Sequence, residues 1–246
     1  MGNHQASIIV MDEIERVAAH ASRVLHLADA TPFSEDSYSS LSLCVIDAVY
    51  SISVRYEGTR AVVEHYCQHY KVPKSRPDAT VLLEKDAQDS LQALCDRITS
   101  LGAERMASEV FHNRQRTSAV NGILKADAVL RFASVLINHG INYFQDIQWP
   151  LSERLEDDIK AIPGQRSGIS FRYFWMLAGS DDLIKPDRMV LRFLGDTLQR
   201  DVGLDEAQPL LVATSQKLKA TYLHLTPRLL DHAIWQHQRK RKTSEA

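Results

Sequence analysis

Apolar residues recur along this chain at helical spacing. Between residues 8 and 29 they fall at Ile8, Met11, Ile14, Val17, Ala18, Ala21, Val24 and Leu25, a stripe three and four apart that predicts a helix with one buried face. Thr31, Pro32 and Phe33 interrupt it, and Ser34 to Ser37 read as a cap region. Residues 38–52, with Cys44, Val45, Ile46, Ala48 and Val49, form an apolar segment long enough for a buried helix. Further helices are predicted over 57–70, 79–99, 103–112, 122–139, 151–161, 167–179, 188–200, 205–221 and 226–240, while the two prolines of 71–77 mark a loop. No segment holds the period-two alternation of a half-buried strand, so the predicted class is all-α.

The 246 residues suffice for one large domain or two small lobes sharing a cleft, and at 44% hydrophobic they can bury a sizeable core. The net charge of -2 disfavours a general nucleic-acid coat but leaves room for a local basic patch. Cys44, Cys67 and Cys95 form no CxxC pair, which fits a reducing compartment. Residues 1–12 lack the pattern of a signal peptide and no apolar run is long enough for a membrane span, so a cytoplasmic monomer without a membrane partner is expected. His65 and His69 share a helix face while Cys67 points elsewhere; two ligands do not close a zinc site, and no metal is expected. The basic run from Arg239 to Lys242 is a solvated tail or a source of non-specific phosphate affinity.

The most informative stretch is Ile162-Pro163-Gly164-Gln165-Arg166-Ser167-Gly168. Pro163 stops one helix, Gly164 permits a turn with positive φ, and Ser167 can cap the next helix. The N–H groups freed at that helix start make an anion site, which on DNA would hold a backbone phosphate without reading a base. An ordinary turn between packed helices is the competing reading.

With Asp187 placed before MVLRFL, this stretch resembles the hairpin of the helix-hairpin-helix DNA glycosylases, the endonuclease-III-like superfamily. Their pattern is an apolar residue, Pro, Gly, a variable residue and Gly, followed about twenty residues later by an Asp that opens the next helix. Here the second hairpin glycine is replaced by Arg166, and about one residue is inserted before Asp187. Upstream, 42–70 is similar to the first barrel helices of the family, with Ser53 where a Gln is expected, and Ile123 to Leu136 resembles the helix preceding the hairpin.

The resemblance implies a two-lobed fold with a cleft between the lobes: 36–180 as a helical barrel containing the helix-hairpin-helix at about 151–179, and 1–35 with 187–246 as the second lobe. It implies duplex DNA as partner and Asp187 as the catalytic carboxylate, although Pro186-Asp187 is equally a plain helix start. Gly164, Gln165, Arg166, Ser167 and Gly168, with Arg114, Arg116 and Lys185, are the expected DNA-backbone contacts. The segment 112–125, holding Arg114, Arg116 and Lys125 and no acid, reads as a basic loop. Asp47, Tyr50 and Ser53 are candidates for a base pocket, with a structural ion pair for Asp47 and a core position for Tyr50 as alternatives. Family members that also cut the strand carry a Lys aligned with Gly168; none lies between Lys160 and Lys185, which implies a monofunctional hydrolase. No cysteine follows Cys95, so no iron–sulfur cluster is expected; a monovalent or similar cation at the hairpin is the one cofactor left open. The resulting expectation is hydrolytic release of a damaged or modified base, in repair or against modified foreign DNA. The alternatives are a non-catalytic DNA-binding module on the same scaffold and a helical interaction protein.

Overall fold

A computed structural model of the chain describes residues 2–30, 37–52, 54, 56–78, 81–148, 152–179 and 184–244, with residues 2–10, Tyr56 and 241–244 described by their backbone alone. Among the described residues the structure is helical, with two isolated β-bridges, Tyr38 to Ser75 and Arg116 to Leu124, and no strand. The helices are α1 (Gly2–Val24), α2 (Leu41–Tyr50), α3 (Tyr56–Tyr70), α4 (Leu91–Leu101), α5 (Ala103–Arg105), α6 (Lys125–Asn138), α7 (Glu153–Lys160), α8 (Ile169–Leu177), α9 (Arg188–Leu198), α10 (Leu204–Leu218) and α11 (Pro227–Ser244). The chain forms two compact units, 33–178 and 1–32 with 179–246.

The unit 33–178 is organised around α2. All ten of its residues are buried, as a helix apolar on every side requires, and α3, α6 and α8 pack around it. Helix α4 packs along α6. It starts at Leu91 because the Ser90 hydroxyl accepts the Ala93 N–H at 3.0 Å, an N-cap worth about 1 kcal/mol. The predicted helix over 79–99 is therefore corrected. The described residues ahead of Ser90 hold only a short 3-10 turn, Lys85–Ala87, and the Gln88 side chain takes up backbone groups there, donating to Leu83 O at 2.7 Å and accepting the Phe144 N–H at 3.3 Å. Helix α5 runs directly into a wider π-helical turn, Met106–Val110, in which the Phe111 N–H reaches back to Met106 O at 2.9 Å.

In the second unit α1 packs on α9 and α10, and α11 covers both of these. Val17, Ala18, Ala21 and Leu25 of the predicted stripe are buried against Phe193, Leu194, Leu211 and Leu230. Met11, counted in the same stripe, is 62% exposed. Arg200, after α9, is clasped by Glu13 of α1 and Glu206 of α10.

Candidate functional site

The turn between α7 and α8 holds its shape through backbone bonds. The Gln165 N–H donates to Ile162 O and the Gly168 N–H to Gln165 O, each at 2.9 Å. Gly164 adopts φ 86°, and a β-carbon there would stand 2.3 Å from the Thr117 β-carbon, so both conformation and space demand glycine. The second left-handed glycine is Gly168, with φ 70°, where the family pattern had pointed to the position of Arg166. Gly168, not Ser167, stands at the N-cap of α8, and the Ser167 hydroxyl accepts the Ile169 N–H at 3.4 Å.

The expected DNA contacts fall into two groups. Gly164, Arg166 and Ser167 are exposed. Gln165 is a correction: its side chain is 2% exposed and turned inward, accepting the Ser170 hydroxyl. Gly168 is also buried, and a β-carbon there would meet Lys160 Cε at 2.8 Å. The sequence pointed to no amine at this position, yet α7 brings Lys160 beside it, its ammonium 2.6 Å from the Glu156 carboxylate.

The basic loop lies against this hairpin through the contact of Thr117 with Gly164. It closes on itself by the Thr117 N–H to Ile123 O at 2.9 Å and the Lys125 N–H to Gln115 O at 2.8 Å, and at its tip Val120 is 77% exposed. Arg114 is exposed and pairs with Glu104 at 2.9 Å; Arg116 is exposed but donates to Gly122 O at 2.7 Å. An exposed pair such as Arg114–Glu104 contributes at most about 1 kcal/mol, so a phosphate competes readily for that guanidinium. Lys125 is a second correction. It is buried, and its ammonium donates to Tyr50 O at 3.0 Å and Ile52 O at 2.8 Å, satisfying carbonyls at the C-terminal end of α2. The end of α2, the loop and the hairpin are thus linked in one unit: Lys125 joins the first two and Thr117 joins the loop to Gly164.

The base-pocket candidates face the interior. Tyr50 is 1% exposed, with its ring against Phe111 and its hydroxyl 3.4 Å from Asn113 O, and burial pushes its phenol far above the ordinary range. The expectation that it stacks on a base is not met by this burial. Asp47 is equally buried, and its Oδ2 accepts the Tyr38 hydroxyl at 2.8 Å and the Tyr173 hydroxyl at 3.4 Å. Ser53 lies outside the described residues. The three cysteines are buried free thiols; burial pushes Cys67 up to about 11, so it is a poor nucleophile at neutral pH. His65 packs edge-on against His112, and no cluster of three metal-binding side chains occurs among the described residues. No described helix is long and apolar enough to cross a membrane.

Asp187 caps α9. Its Oδ1 accepts the Met189 N–H at 2.7 Å and the Val190 N–H at 3.3 Å, while among the described residues Oδ2 takes no hydrogen bond. The carboxylate is partly exposed. One oxygen is therefore fixed by the helix and the other is presented outward, the arrangement a fixed anion needs. The segment leading to it is clamped: the Ile184 N–H donates to Gln208 of α10 at 3.0 Å, and the Asp187 N–H donates to Lys185 O at 2.6 Å across buried Pro186. Lys185 itself is half-buried.

Sequence reasoning missed Thr117, Lys160 and Asp231, whose parts depend on chain-distant neighbours; Asp231 is buried on α11 beside the Asp187 segment. No curated protein and no solved structure matches the chain. The pattern that defines one protein family fits residues 15–239, spanning all of these features. The chain belongs to that family, described as a domain of unknown function, DUF8548.

Proposed function

We propose that this chain is a monofunctional DNA N-glycosylase, in which the hairpin and the adjoining basic loop hold duplex DNA and Asp187 serves the hydrolysis of an N-glycosidic bond. The observation that carries the reading is the Asp187 carboxylate, fixed through one oxygen at the start of α9 and presented through the other, and following a two-glycine hairpin in the sequence. When the bond from C1′ to the base nitrogen breaks, its electron pair leaves with the base, which takes up a proton, and positive charge spreads over the sugar ring. A preorganised anion stabilises that charge without reorganising. Water then adds to C1′ and gives up a proton, which Asp187 can accept. The product is an abasic strand with its backbone intact. Arg166 and Arg114 supply sequence-independent phosphate contact.

A second reading, DNA binding without catalysis, is favoured by the burial of Asp47 and Tyr50, which turns both residues expected at a base pocket inward. One experiment separates the two. The protein is incubated with genomic DNA carrying a range of modified bases, freed bases are identified by mass spectrometry, and the strands are then treated with alkali. Freed base with alkali-dependent strand breaks supports the glycosylase. Salt-sensitive binding with no freed base supports the binding module, and no binding at low salt removes both.

A further inference from the structure

The Asp187 turn has a second carboxyl group behind it. Asp231 lies on α11 between Leu230 and Ile234, both fully buried, and is itself buried. The backbone N–H of Lys185 donates to its carboxyl, and Asp187 stands close enough for the two charges to act on each other. The segment from Ile184 to Asp187 is therefore held from two helices, by Gln208 on α10 and Asp231 on α11, and closed by the Asp187 N–H bond to Lys185 O.

We infer that Asp231 is the positioning residue for Asp187: through the Lys185 amide it fixes the turn that presents the Asp187 carboxylate, and the two carboxyls form a coupled acid pair. This rests on the reading of Asp187 as the working anion. Two carboxylates cannot both ionise cheaply when one lies out of water. Burial first, and then the charge of Asp187, hold the Asp231 carboxyl well above its ordinary range; Lys185 and Arg228 pull the other way without reversing this. The neighbouring His232 adds no charge at neutral pH, because burial and Arg228 hold its imidazole down to about 4. At neutral pH the pair then carries one negative charge, on the partly exposed partner. The proton on Asp231 locks the turn and is not donated to substrate, because that carboxyl is sealed inside the unit. Ionising Asp231 sets two like charges against each other and loosens the turn.

The test uses the full chain with aspartate carboxyl carbons labelled, titrated by NMR from about pH 4 to about pH 10. Asp231 should titrate well above an ordinary carboxyl, and Asp187→Asn should lower that titration. A second readout compares binding to a duplex carrying a pyrrolidine abasic analogue, a cationic mimic of the charged sugar, with binding to its neutral tetrahydrofuran counterpart. Asp231→Asn, which keeps an acceptor for the Lys185 amide, should retain the preference for the cation within about twofold; Asp231→Leu, which has none, should lose about tenfold of it. An Asp231 that titrates like an ordinary carboxyl, or one indifferent to Asp187→Asn, overturns the pair. Equal preference in the Asn and Leu variants overturns the positioning role. If the wild type shows no preference for the cation, the reading of Asp187 as a catalytic anion fails, while the titration still decides whether the acid pair exists.

Discussion

Replacing Asp187 by Asn separates its two roles. The cap on α9 consists of two N–H bonds, from Met189 and Val190, both to Oδ1. Asn offers an oxygen in the same place and caps helices about as well as Asp. What disappears is the negative charge, and with it a favourable interaction with the helix N-terminus of about 0.3–1 kcal/mol. Against this, the substitution removes the repulsion with Asp231, so stability should change by less than about 1 kcal/mol, a melting shift of no more than roughly 4 °C. Asp187→Ala, which removes the cap as well, should cost about 1 kcal/mol. Catalysis should respond on another scale. Loss of one fixed electrostatic element typically costs about 100- to 1,000-fold in rate, or about 2.7–4 kcal/mol at the barrier. Single-turnover base release from the modified DNA that the wild type cleaves, with calorimetric melting of both proteins, measures both quantities. Base release at the wild-type rate by the Asn variant would reduce Asp187 to a helix cap and refute the mechanism; a large fall in melting temperature would refute the separation of roles.

Arg166→Glu should weaken duplex binding alike for all sequences and make the dependence on log salt shallower by about one, as seen in filter or fluorescence titrations; unchanged affinity would take the hairpin off the contact surface. Lys125→Met should cost about 2–4 kcal/mol, read as a fall of roughly 4–16 °C in melting temperature, because it strands Tyr50 O and Ile52 O; a surface-like loss of under about 0.5 kcal/mol would deny its buried role. Borohydride should trap no enzyme–DNA adduct; an adduct abolished by Lys160→Ala would identify the amine beside Gly168 as a nucleophile and make the enzyme a lyase. The raised Asp231 titration has a stability sign. The unfolded chain ionises this group from its ordinary value of 3.8 while the folded chain does not, so its contribution falls as pH climbs from there to the raised value. Asp231→Asn should gain melting temperature over wild type as pH rises across that window, and a constant difference would contradict it.

The helical class was legible because an apolar stripe at a spacing of three and four, as at Val17, Ala18, Ala21 and Leu25, can be satisfied by only one kind of element. The start of α4 was misread, although the Ser90 cap stood in the sequence, because the competing bonds of Gln88 are with Leu83 and with the distant Phe144. Charge counting placed Lys125 on a basic loop. A lysine is drawn inside when helix-end carbonyls lack partners, and such carbonyls belong to the backbone, which residue identities do not display. The cap at Asp187 was legible because Pro186 and the apolar run announce it locally. Asp231, 44 positions further on, had no signal beyond being an acid flanked by leucines on one side and an isoleucine on the other.

The π-helical turn at Met106–Val110 carries one residue more than an α-helical turn closing over the same rise. Each residue of an α-helix rotates the next side chain about the axis by about 100°. Chain length in this stretch therefore acts as an angular setting. Deleting Ser108 would let the turn relax to α-helical geometry and swing Phe111 away from the ring of Tyr50, carrying Thr117 off Gly164. Arg114 and Arg116 would then point elsewhere with their sequence unchanged, so that a single-codon deletion upstream of the basic loop would redirect it.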